Sequence, residues 1–426
     1  MKILLISHNP ISTYNNMGKT FLRLFSDFKP DELCQLYLYP DNPDTDCCCS
    51  YYRFTDRDAL RSLVSRSAVG GEVLPASVSL ASSSTDKEQR AHHSVRSRAN
   101  LIRLARDLLW HHSRWNNASL HEWLERQAPE LIFVAPGAQE LLYDIAMSIA
   151  REMQLPMVTY VCDDFYFAEA ASGFWGNLRR KRLRGKISAL ARESSMTITI
   201  CPELAYLYQE RLGVSAMHLL ACPAFSLKPV KSSYRDTPRH MTYMGNLSCG
   251  RGQSLFEIGQ TLDYLNKNTS SDYSLDIYTN SERKELLQQL ASCPAIRLHG
   301  FVTGDEYAKV FDGAEAFVHV ESFEERNRER VRYSVSTKII ECLASGKPLI
   351  AYGPKDVASM AYLRRNGCAF LAQSQDDLLT LLIDELSDER RLREIIYNAE
   401  QTAKCEAENS RTLHSFLAHN VLGGSR

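Results

Sequence analysis

The sequence lacks long apolar runs and an excess of charge of either sign. Within its 426 residues no stretch approaches the roughly 18 apolar residues of a membrane-spanning helix. The apolar run Ile3 to Ile6 is too short for a signal peptide, and no small-residue cleavage site follows it. Fifty Lys and Arg balance 51 Asp and Glu, so no global field attracts nucleic acid. We expect a cytoplasmic protein without a nucleic-acid partner.

Paired cysteine motifs are also missing, although the chain has twelve cysteines. No Cys-x-x-Cys pair occurs, and the densest cluster is Cys47, Cys48 and Cys49, in a segment typical of a loop. Adjacent side chains converge poorly on one ion. We expect reduced thiols and no bound metal.

Two phosphate-binding motifs are incomplete or absent. Gly18, Lys19 and Thr20 resemble the end of a P-loop, but Thr13 stands where that motif requires glycine. No G-x-G-x-x-G follows the first strand. What remains is a polar loop from Asn9 to Gly18 before a helix predicted from Lys19. That loop either turns the chain or offers helix amides to an anion.

Short apolar runs alternate with helical patterns along the chain, and 44% of the residues are hydrophobic. This alternation predicts an α/β protein with two doubly wound, Rossmann-like domains facing across a cleft, where ligands of such sheets bind. We expect an N-terminal domain over 1–225, a linker over 226–240 and a second domain over 241–404, with a helix at 405–422 packing back on the first. Residues 62–98 have weak periodicity and predict an irregular insertion. The predicted strands include 2–7, 131–135, 156–161, 196–200, 241–244, 275–278, 296–298, 316–320 and 349–351.

The segment from Arg330 to Pro354 contains a well-delimited helix. Ser336 is a candidate N-cap, and Gly346 followed by Pro348 ends the pattern. Lys338 in the first turn interacts unfavourably with the helix dipole. Binding of a diphosphate by the helix start and the Lys338 ammonium together would explain a lysine at this position. Glu341 lies on the same face, placed to accept hydrogen bonds from ribose hydroxyls. A solvated Lys–Glu pair is the alternative that spacing alone favours.

The pattern R-x-S-x-S-T-K-x-x-E-x-L-A-S-G-K-P, from Arg332 to Pro348, resembles the donor-nucleotide segment of GT-B glycosyltransferases. It is most similar to the retaining family, Ser-Thr-Lys subgroup, that uses nucleotide-diphosphate sugars. The resemblance extends to most of the chain, with residues 40–120 the chief exception. The other similar segments are 129–163, 243–251, 296–302 and 314–321.

The resemblance implies roles for individual residues. Lys338 and Arg251 would balance the diphosphate charge, since Asn246 occupies the position of a second family cation. Glu341 would bind the ribose, and Glu321 is a candidate for the donor sugar. The remaining implied nucleotide-sugar contacts are Gly18, Gly245, Asn246, Gly300, Phe301, Val302, Ser336 and Thr337.

Two further positions depart from the family pattern. Tyr333 stands where the first glutamate of the family's E-x7-E pair is expected, and Cys162 replaces a histidine near the acceptor. Asp163 then becomes the candidate for contacting the acceptor hydroxyl or the developing positive charge at the anomeric carbon. A plain capping role for Asp163 or Asp164 is equally consistent with the sequence.

The resemblance implies a retaining, metal-independent enzyme without a cofactor. Its donor would be a nucleotide sugar such as a UDP or GDP sugar, and its acceptor a saccharide or lipid-linked molecule in surface polysaccharide or glycoconjugate synthesis. Alternatives are an epimerase or hydrolase of the same fold, and a non-catalytic partner subunit. The basic stretches Leu178 to Ile187 and Arg96 to Trp115 are either solvated helix faces or peripheral contacts with an anionic membrane.

Overall fold

A computed structural model describes residues 1–64, 69–75, 105–167, 173–222 and 238–423. The chain divides into two compact units, Met1–Cys222 with Asn409–Arg426, and Pro223–Glu408. Most of the predicted linker, through residue 237, lies outside the described residues, and its last residue, His240, opens a strand.

The first unit is built on an eight-stranded sheet of order β4-β3-β2-β1-β5-β6-β7-β8. All strand pairs are parallel except β3 with β4. Its strands are β1 Ile3–Ser7, β2 Leu33–Tyr37, β3 Ser50–Arg53, β4 Gly71–Val73, β5 Leu131–Ala135, β6 Met157–Val161, β7 Met196–Thr199 and β8 Ala216–His218. The helices are α1 Asn16–Leu24, α2 Asp56–Val64, α3 Ala118–Gln127, α4 Glu140–Met153, α5 Phe174–Glu193 and α6 Pro202–Leu212, and residues 105–111 are also helical.

Burial explains why the central strands are continuous apolar runs. Every residue of β1 and β5 is buried, and the two strands pair in register, with Ile3 opposite Leu131. Helices cover both faces of a parallel sheet, so neither face of these strands needs polar residues. All the parallel strands end at one carboxyl edge, where functional loops are found in such folds.

Two sequence-based predictions for the first unit differ from the structure. β4 lies inside the segment 62–98, which we predicted to be irregular, and pairs antiparallel with β3. Residues 76–98 of that segment lie outside the described residues. The helix predicted from Lys19 begins at Asn16, because the Asn15 side chain caps it by accepting a hydrogen bond from Gly18 N at 2.6 Å.

The second unit is built on a six-stranded parallel sheet of order β11-β10-β9-β12-β13-β14. The predicted strands of this unit are present within one or two residues. The strands are β9 His240–Met244, β10 Ser274–Tyr278, β11 Ile296–His299, β12 Ala316–Val320, β13 Leu349–Tyr352 and β14 Phe370–Ala372. The helices are α7 Arg251–Thr269, α8 Lys284–Ala291, α9 Gly304–Gly313, α10 Glu325–Val331, α11 Thr337–Leu343, α12 Ala358–Asn366, α13 Gln375–Thr380 and α14 Glu389–Ala407.

The last α-helix, α15 Asn409–Phe416, continues as a π-helix over Leu417–Leu422 and belongs to the first unit. The Ser410 hydroxyl accepts a hydrogen bond from Asp27 N at 3.0 Å, and the Asn409 side chain donates to the carbonyl of Leu220 at 2.9 Å. Leu413 and Leu417 are buried in the core of the first unit. Apolar burial and two polar contacts therefore hold the C-terminal helix on this unit.

Candidate active site

The loop after β9 lies at the carboxyl edge of the second sheet. It starts at Gly245, whose N–H donates to the carbonyl of Tyr278 at 3.0 Å. The buried Tyr243 hydroxyl donates to the carbonyl of Asn246 at 2.7 Å. A Cβ on Gly245 would come within 2.8 Å of that hydroxyl. Tyr243 therefore supports this loop, and its hydroxyl leaves no room for a side chain at position 245.

Arg251, the first residue of α7, forms a largely buried ion pair with Glu321, which directly follows β12. Arg251 Nη2 donates to Glu321 Oε1 at 3.1 Å, and the two side chains are 18% and 2% exposed. Burial lowers the pKa of Arg251, but the Glu321 carboxylate more than offsets it and the net shift is upward. Arg251 Nη1 also lies 3.4 Å from Asn246 Oδ1, so the predicted residues Arg251, Asn246 and Glu321 come together.

Glu321 is almost fully buried, with its side chain 2% exposed. Its Oε1 also lies 3.4 Å from the Ser359 hydroxyl and 3.5 Å from His319 Nε2. Within the described part of the chain, Oε2 has no hydrogen-bond partner. Burial lowers the pKa of His319 to about 4, although Glu321 opposes that shift, so this imidazole is neutral at pH 7. In this structure the Glu321 carboxylate is the ion-pair partner of Arg251.

A second glycine allows β12 and the loop after β9 to approach closely. Gly250 has a φ of +76°, and a Cβ there would lie 2.4 Å from the Ser322 hydroxyl and 2.6 Å from Asn327 Nδ2. This positive φ favours glycine independently of the space available. The close packing brings Arg251, the next residue, over Glu321.

Lys338 reaches the same edge from α11. Its Nζ donates to the carbonyl of Met244, the last residue of β9, at 2.8 Å, and its side chain is exposed. Ser336 is the N-cap residue as predicted, although among the described contacts its side chain makes no capping hydrogen bond. The predicted apolar face of this helix, Ile339, Ile340 and Leu343, is buried. The two cations Arg251 and Lys338 therefore flank the loop that Gly245 opens.

Glu341, one turn further along α11, accepts a hydrogen bond from the Tyr307 hydroxyl at 2.9 Å. Tyr307 lies on α9, which follows the loop of Gly300, Phe301 and Val302 after β11. Phe301 is 62% exposed, whereas Val302 is buried and anchors the loop. The structure thus places the predicted nucleobase loop and the predicted ribose carboxylate on neighbouring, connected elements.

In the first unit, Gly18 packs against the loop that precedes α1. A Cβ at Gly18 would lie 2.5 Å from Ser12 N and 2.7 Å from the carbonyl of Pro10. Both are backbone atoms, so they cannot move aside cheaply. Gly18 is buried, and its small size is needed for folding this loop.

Asp163 and Asp164 follow β6 and have different environments. Asp164 Oδ1 accepts from the backbone N–H groups of Tyr166 and Phe167 at 2.9 and 2.7 Å, which closes a turn, and residues 165–167 are not helical. The Asp163 side chain is exposed at the carboxyl edge of the first sheet. Burial, reinforced by the Asp163 charge, raises the pKa of the neighbouring Cys162 thiol, which lies 3.8 Å from Met17 Sδ. Cys162 is therefore a neutral thiol.

The two basic stretches are largely occupied by internal contacts. Arg179 pairs with Asp107 at 3.2 Å, and Arg182 pairs with Glu140 at 3.3 Å. In the stretch 96–115, residues 96–104 lie outside the described residues. Trp110, in the same stretch, is only 3% exposed. Its indole N–H donates to an Asp56 carboxylate oxygen, so this ring belongs to the core.

Three further findings concern metals, membranes and thiols. Across the described ranges, no three His, Cys, Asp or Glu side chains are grouped as metal ligands. In the same ranges, no helix is both long and apolar enough to cross a membrane. No disulfide joins any of the twelve cysteines, all of which lie among the described residues.

Three residues that contact the second-unit site were not predicted from the sequence: Tyr243, Tyr307 and His319. Tyr307 contacts Glu341, 34 positions away, whereas Tyr243 and His319 contact Asn246 and Glu321, which are close in sequence. Tyr243 and His319 both lie within apolar strands, and their polar side chains in that setting are the only sequence feature that could have indicated a role in the site.

Comparison with known proteins now identifies the fold. Residues 262–418 match the family model described as glycosyl transferase-like. No curated protein matches the sequence significantly.

Several solved structures are similar over nearly their whole length. HepE of Anabaena, in complex with UDP, has a TM-score of 0.63 at 13% identity, covering 98% of this chain and 100% of that chain. HepE structures with UDP and glucose and with UDP-glucose are also similar. Sucrose-phosphate synthase of Thermosynechococcus elongatus has a TM-score of 0.57 at 12% identity, covering 98% and 99%. The lipopolysaccharide outer core galactosyltransferase WaaB, apo form, has a TM-score of 0.55 at 11% identity, covering 96% and 100%. The chain has the GT-B fold, as predicted.

Proposed function

We propose that this protein is a glycosyltransferase that moves a sugar from a nucleotide-diphosphate donor to a hydroxyl of a saccharide or lipid-linked acceptor. The observation that carries the proposal is the placement of Arg251 and Lys338 on either side of the Gly245 loop, at the carboxyl edge of a parallel sheet. The UDP and UDP-glucose complexes of HepE support a UDP sugar as the first donor to test, followed by a GDP sugar.

In this proposal the diphosphate lies against the loop after β9. The guanidinium of Arg251 is a rigid fork suited to phosphate oxygens, and the Lys338 ammonium is a mobile point charge. Glu321 accepts from one side of the fork and so fixes its orientation, which makes Glu321 a positioning residue. Backbone amides of the loop and the Ser336 and Thr337 hydroxyls complete the donor set.

The nucleoside occupies the neighbouring elements. Glu341 accepts hydrogen bonds from the ribose hydroxyls, with its carboxylate oriented by the Tyr307 hydroxyl. The exposed ring of Phe301 and the backbone of Gly300 and Val302 contact the nucleobase, because an exposed aromatic face stacks on any base.

The reaction breaks the bond between the anomeric carbon and the diphosphate oxygen and forms a bond from that carbon to the acceptor oxygen. Charge builds up on the departing diphosphate, where Arg251 and Lys338 stabilise it in the transition state. The acceptor oxygen attacks from the face that the diphosphate leaves, and its proton passes to the leaving phosphate, so the anomeric configuration is retained without a protein nucleophile. We propose that these cations supply the charge stabilisation without a metal or cofactor, and that Asp163 contacts the acceptor hydroxyl or the oxocarbenium-like carbon.

The experiment is a transfer assay that follows UDP release and the NMR spectrum of the product. A transferase releases UDP at a rate that depends on acceptor, and its product keeps the α or β configuration of the donor. Donor consumption without acceptor supports the alternative of an epimerase or hydrolase. Absence of nucleotide binding supports a non-catalytic partner subunit, the alternative favoured by Asn246, Tyr333 and Cys162 at family positions.

We further propose a cytoplasmic location with peripheral contact to an anionic membrane through the start of α5. Phe174 is 71% exposed and Trp175 42% exposed, and the cation Lys181 is exposed one to two turns later. Co-sedimentation with phosphatidylglycerol vesicles at low salt tests this contact. Binding that is lost in the variant Phe174→Ser/Trp175→Ser supports it, and no binding by the wild type rejects it.

A further inference from the structure

The first unit contains a cavity of about 120 Å³ beside Asp163. The side chains of Phe165, Ile187, Leu190 and Ala191 line it, together with Met17 and three tyrosines. Asp163 lines the cavity and is also exposed to solvent, so the cavity adjoins the surface at the proposed acceptor contact.

Three polar side chains of the cavity wall, Tyr143, Thr159 and Tyr160, have protein partners. The Tyr143 hydroxyl donates to the carbonyl of Gly137 at 2.7 Å, and the Tyr160 hydroxyl donates to the carbonyl of Leu219 at 3.3 Å. The Thr159 hydroxyl is hydrogen-bonded to the Ser194 hydroxyl at 2.7 Å. A wall with satisfied polar groups holds water poorly, and apolar cavities of this kind stay dry and accept apolar guests.

The volume suits a small ring or a short alkyl segment. An engineered protein cavity of roughly 150 Å³ lined by aliphatic and aromatic side chains binds benzene. The present cavity is of comparable size, and its charged group, Asp163, lies at the surface-exposed end. A molecule that fits both features has an apolar body and a hydroxyl at one end.

We propose that this cavity binds an alkyl or aryl group of the acceptor, with the acceptor hydroxyl held at Asp163. The inference rests on the proposed transferase function, and it narrows the acceptor class from any saccharide to an amphiphile. Such an acceptor is a lipid alcohol, or a sugar whose aglycone is a lipid or an aromatic ring.

Binding of benzyl alcohol to the full-length protein, measured by saturation-transfer NMR, tests the cavity without relying on activity. We expect binding of benzyl alcohol and none of glycerol, which has hydroxyls but no apolar body. Ala191→Leu, which fills the cavity, is expected to weaken benzyl alcohol binding at least tenfold, about 1.4 kcal/mol. Should that variant fail to fold, Ala191→Val reduces the volume with less strain.

The matched comparison is between two leucines of the same helix, α5. Leu190 lines the cavity, whereas Leu183 is also buried but is not part of the wall. Leu190→Ala is expected to admit the larger 1-naphthalenemethanol, and Leu183→Ala to keep the wild-type preference for benzyl alcohol. In the transfer assay, a phenyl glycoside acceptor is expected to have at least a tenfold lower KM than the methyl glycoside, with the difference lost in Ala191→Leu.

UDP binding measured on the same samples separates this inference from the proposed function. UDP binding without benzyl alcohol binding overturns the cavity inference and leaves the donor site intact. Benzyl alcohol binding without UDP binding refutes the transferase and, with it, the acceptor assignment. Equal benzyl alcohol affinity in Ala191→Leu and wild type also overturns the inference.

Discussion

The buried pair of Arg251 and Glu321 yields a prediction with opposite effects on stability and on ligand binding. The substitution Glu321→Gln keeps the size of the side chain and an oxygen acceptor but removes its charge. The guanidinium, 18% exposed, is then left beside a neutral amide. Because the Glu321 carboxylate lies beside Arg251, which we propose binds the diphosphate, the same change removes an unfavourable interaction with a bound diphosphate.

The magnitude follows from the geometry. At the observed 3.1 Å separation, Coulomb's law with an effective dielectric constant of about 20 gives an attraction of about 5 kcal/mol. Breaking a buried pair by removing one partner typically costs about 3–5 kcal/mol. Since glutamine retains a hydrogen bond, we expect a loss of about 3 kcal/mol. That loss lowers the Tm of a unit of this size by roughly 6–12 °C.

Thermal unfolding by calorimetry, with UDP titration in parallel, measures both effects. The control is Glu389→Gln, which breaks a pair on α14 with Arg393, where the side chains are 48% and 51% exposed. An exposed pair contributes about 0–1 kcal/mol, so we expect little change in Tm. UDP affinity in Glu321→Gln should equal or exceed that of the wild type. Unchanged stability, or a loss of UDP binding with stability preserved, would refute the positioning role of Glu321.

Three further predictions concern stability, pH and the nucleoside contact. Gly18→Ala should lower the free energy of unfolding by at least about 2 kcal/mol because the added Cβ meets backbone atoms. Gly185→Ala, on α5 with open space around the added Cβ, should raise it by about 0.5–1 kcal/mol. Equal denaturation midpoints for the two variants would contradict this prediction. The pKa of His319 is lowered to about 4 in the folded state, so stability is complete above the unfolded pKa of about 6.5 and is lost as pH falls toward 4. Between pH 7.5 and 5 the free energy of unfolding should fall by about 2 kcal/mol. This pH dependence should vanish from the unfolding transition of the second unit in His319→Gln. Its persistence in that variant would refute the assignment to His319. Tyr307→Phe removes the hydrogen bond to Glu341 and should weaken UDP binding about three- to tenfold, with little change in Tm. Calorimetric titration measures the affinity, and an affinity equal to that of the wild type would contradict the role of this hydrogen bond.

The sheet-and-helix alternation could be predicted because most central strands are uninterrupted apolar runs. β2 was missed because its buried centre is Gln35, whose side chain accepts a hydrogen bond from Ile11 N at 2.9 Å. A polar residue that is fully satisfied inside a sheet breaks the apolar pattern without breaking the strand. β3 was missed because it is short and bounded by Ser50 and Arg53.

The site could be predicted only where local patterns carry the chemistry. The helix of Lys338 and Glu341 has sequence limits that agree with α11, and the glycine at 245 follows a clear strand. The pairing of Arg251 with Glu321 joins residues 70 positions apart, which no spacing rule connects. The resemblance suggested a sugar contact for Glu321, and the structure adds its buried ion pair with Arg251.

The most direct test of the account is calorimetric titration of UDP, GDP, ADP, dTDP and CMP into the wild type and Lys338→Ala. The exposed Lys267, paired with Asp263 on α7, provides the control Lys267→Ala. The account predicts that one diphosphate binds, that Lys338→Ala weakens it at least tenfold, about 1.4 kcal/mol, and that Lys267→Ala leaves it unchanged. Binding of none of the nucleotides, or equal affinity in all three proteins, would contradict the assignment of the donor site.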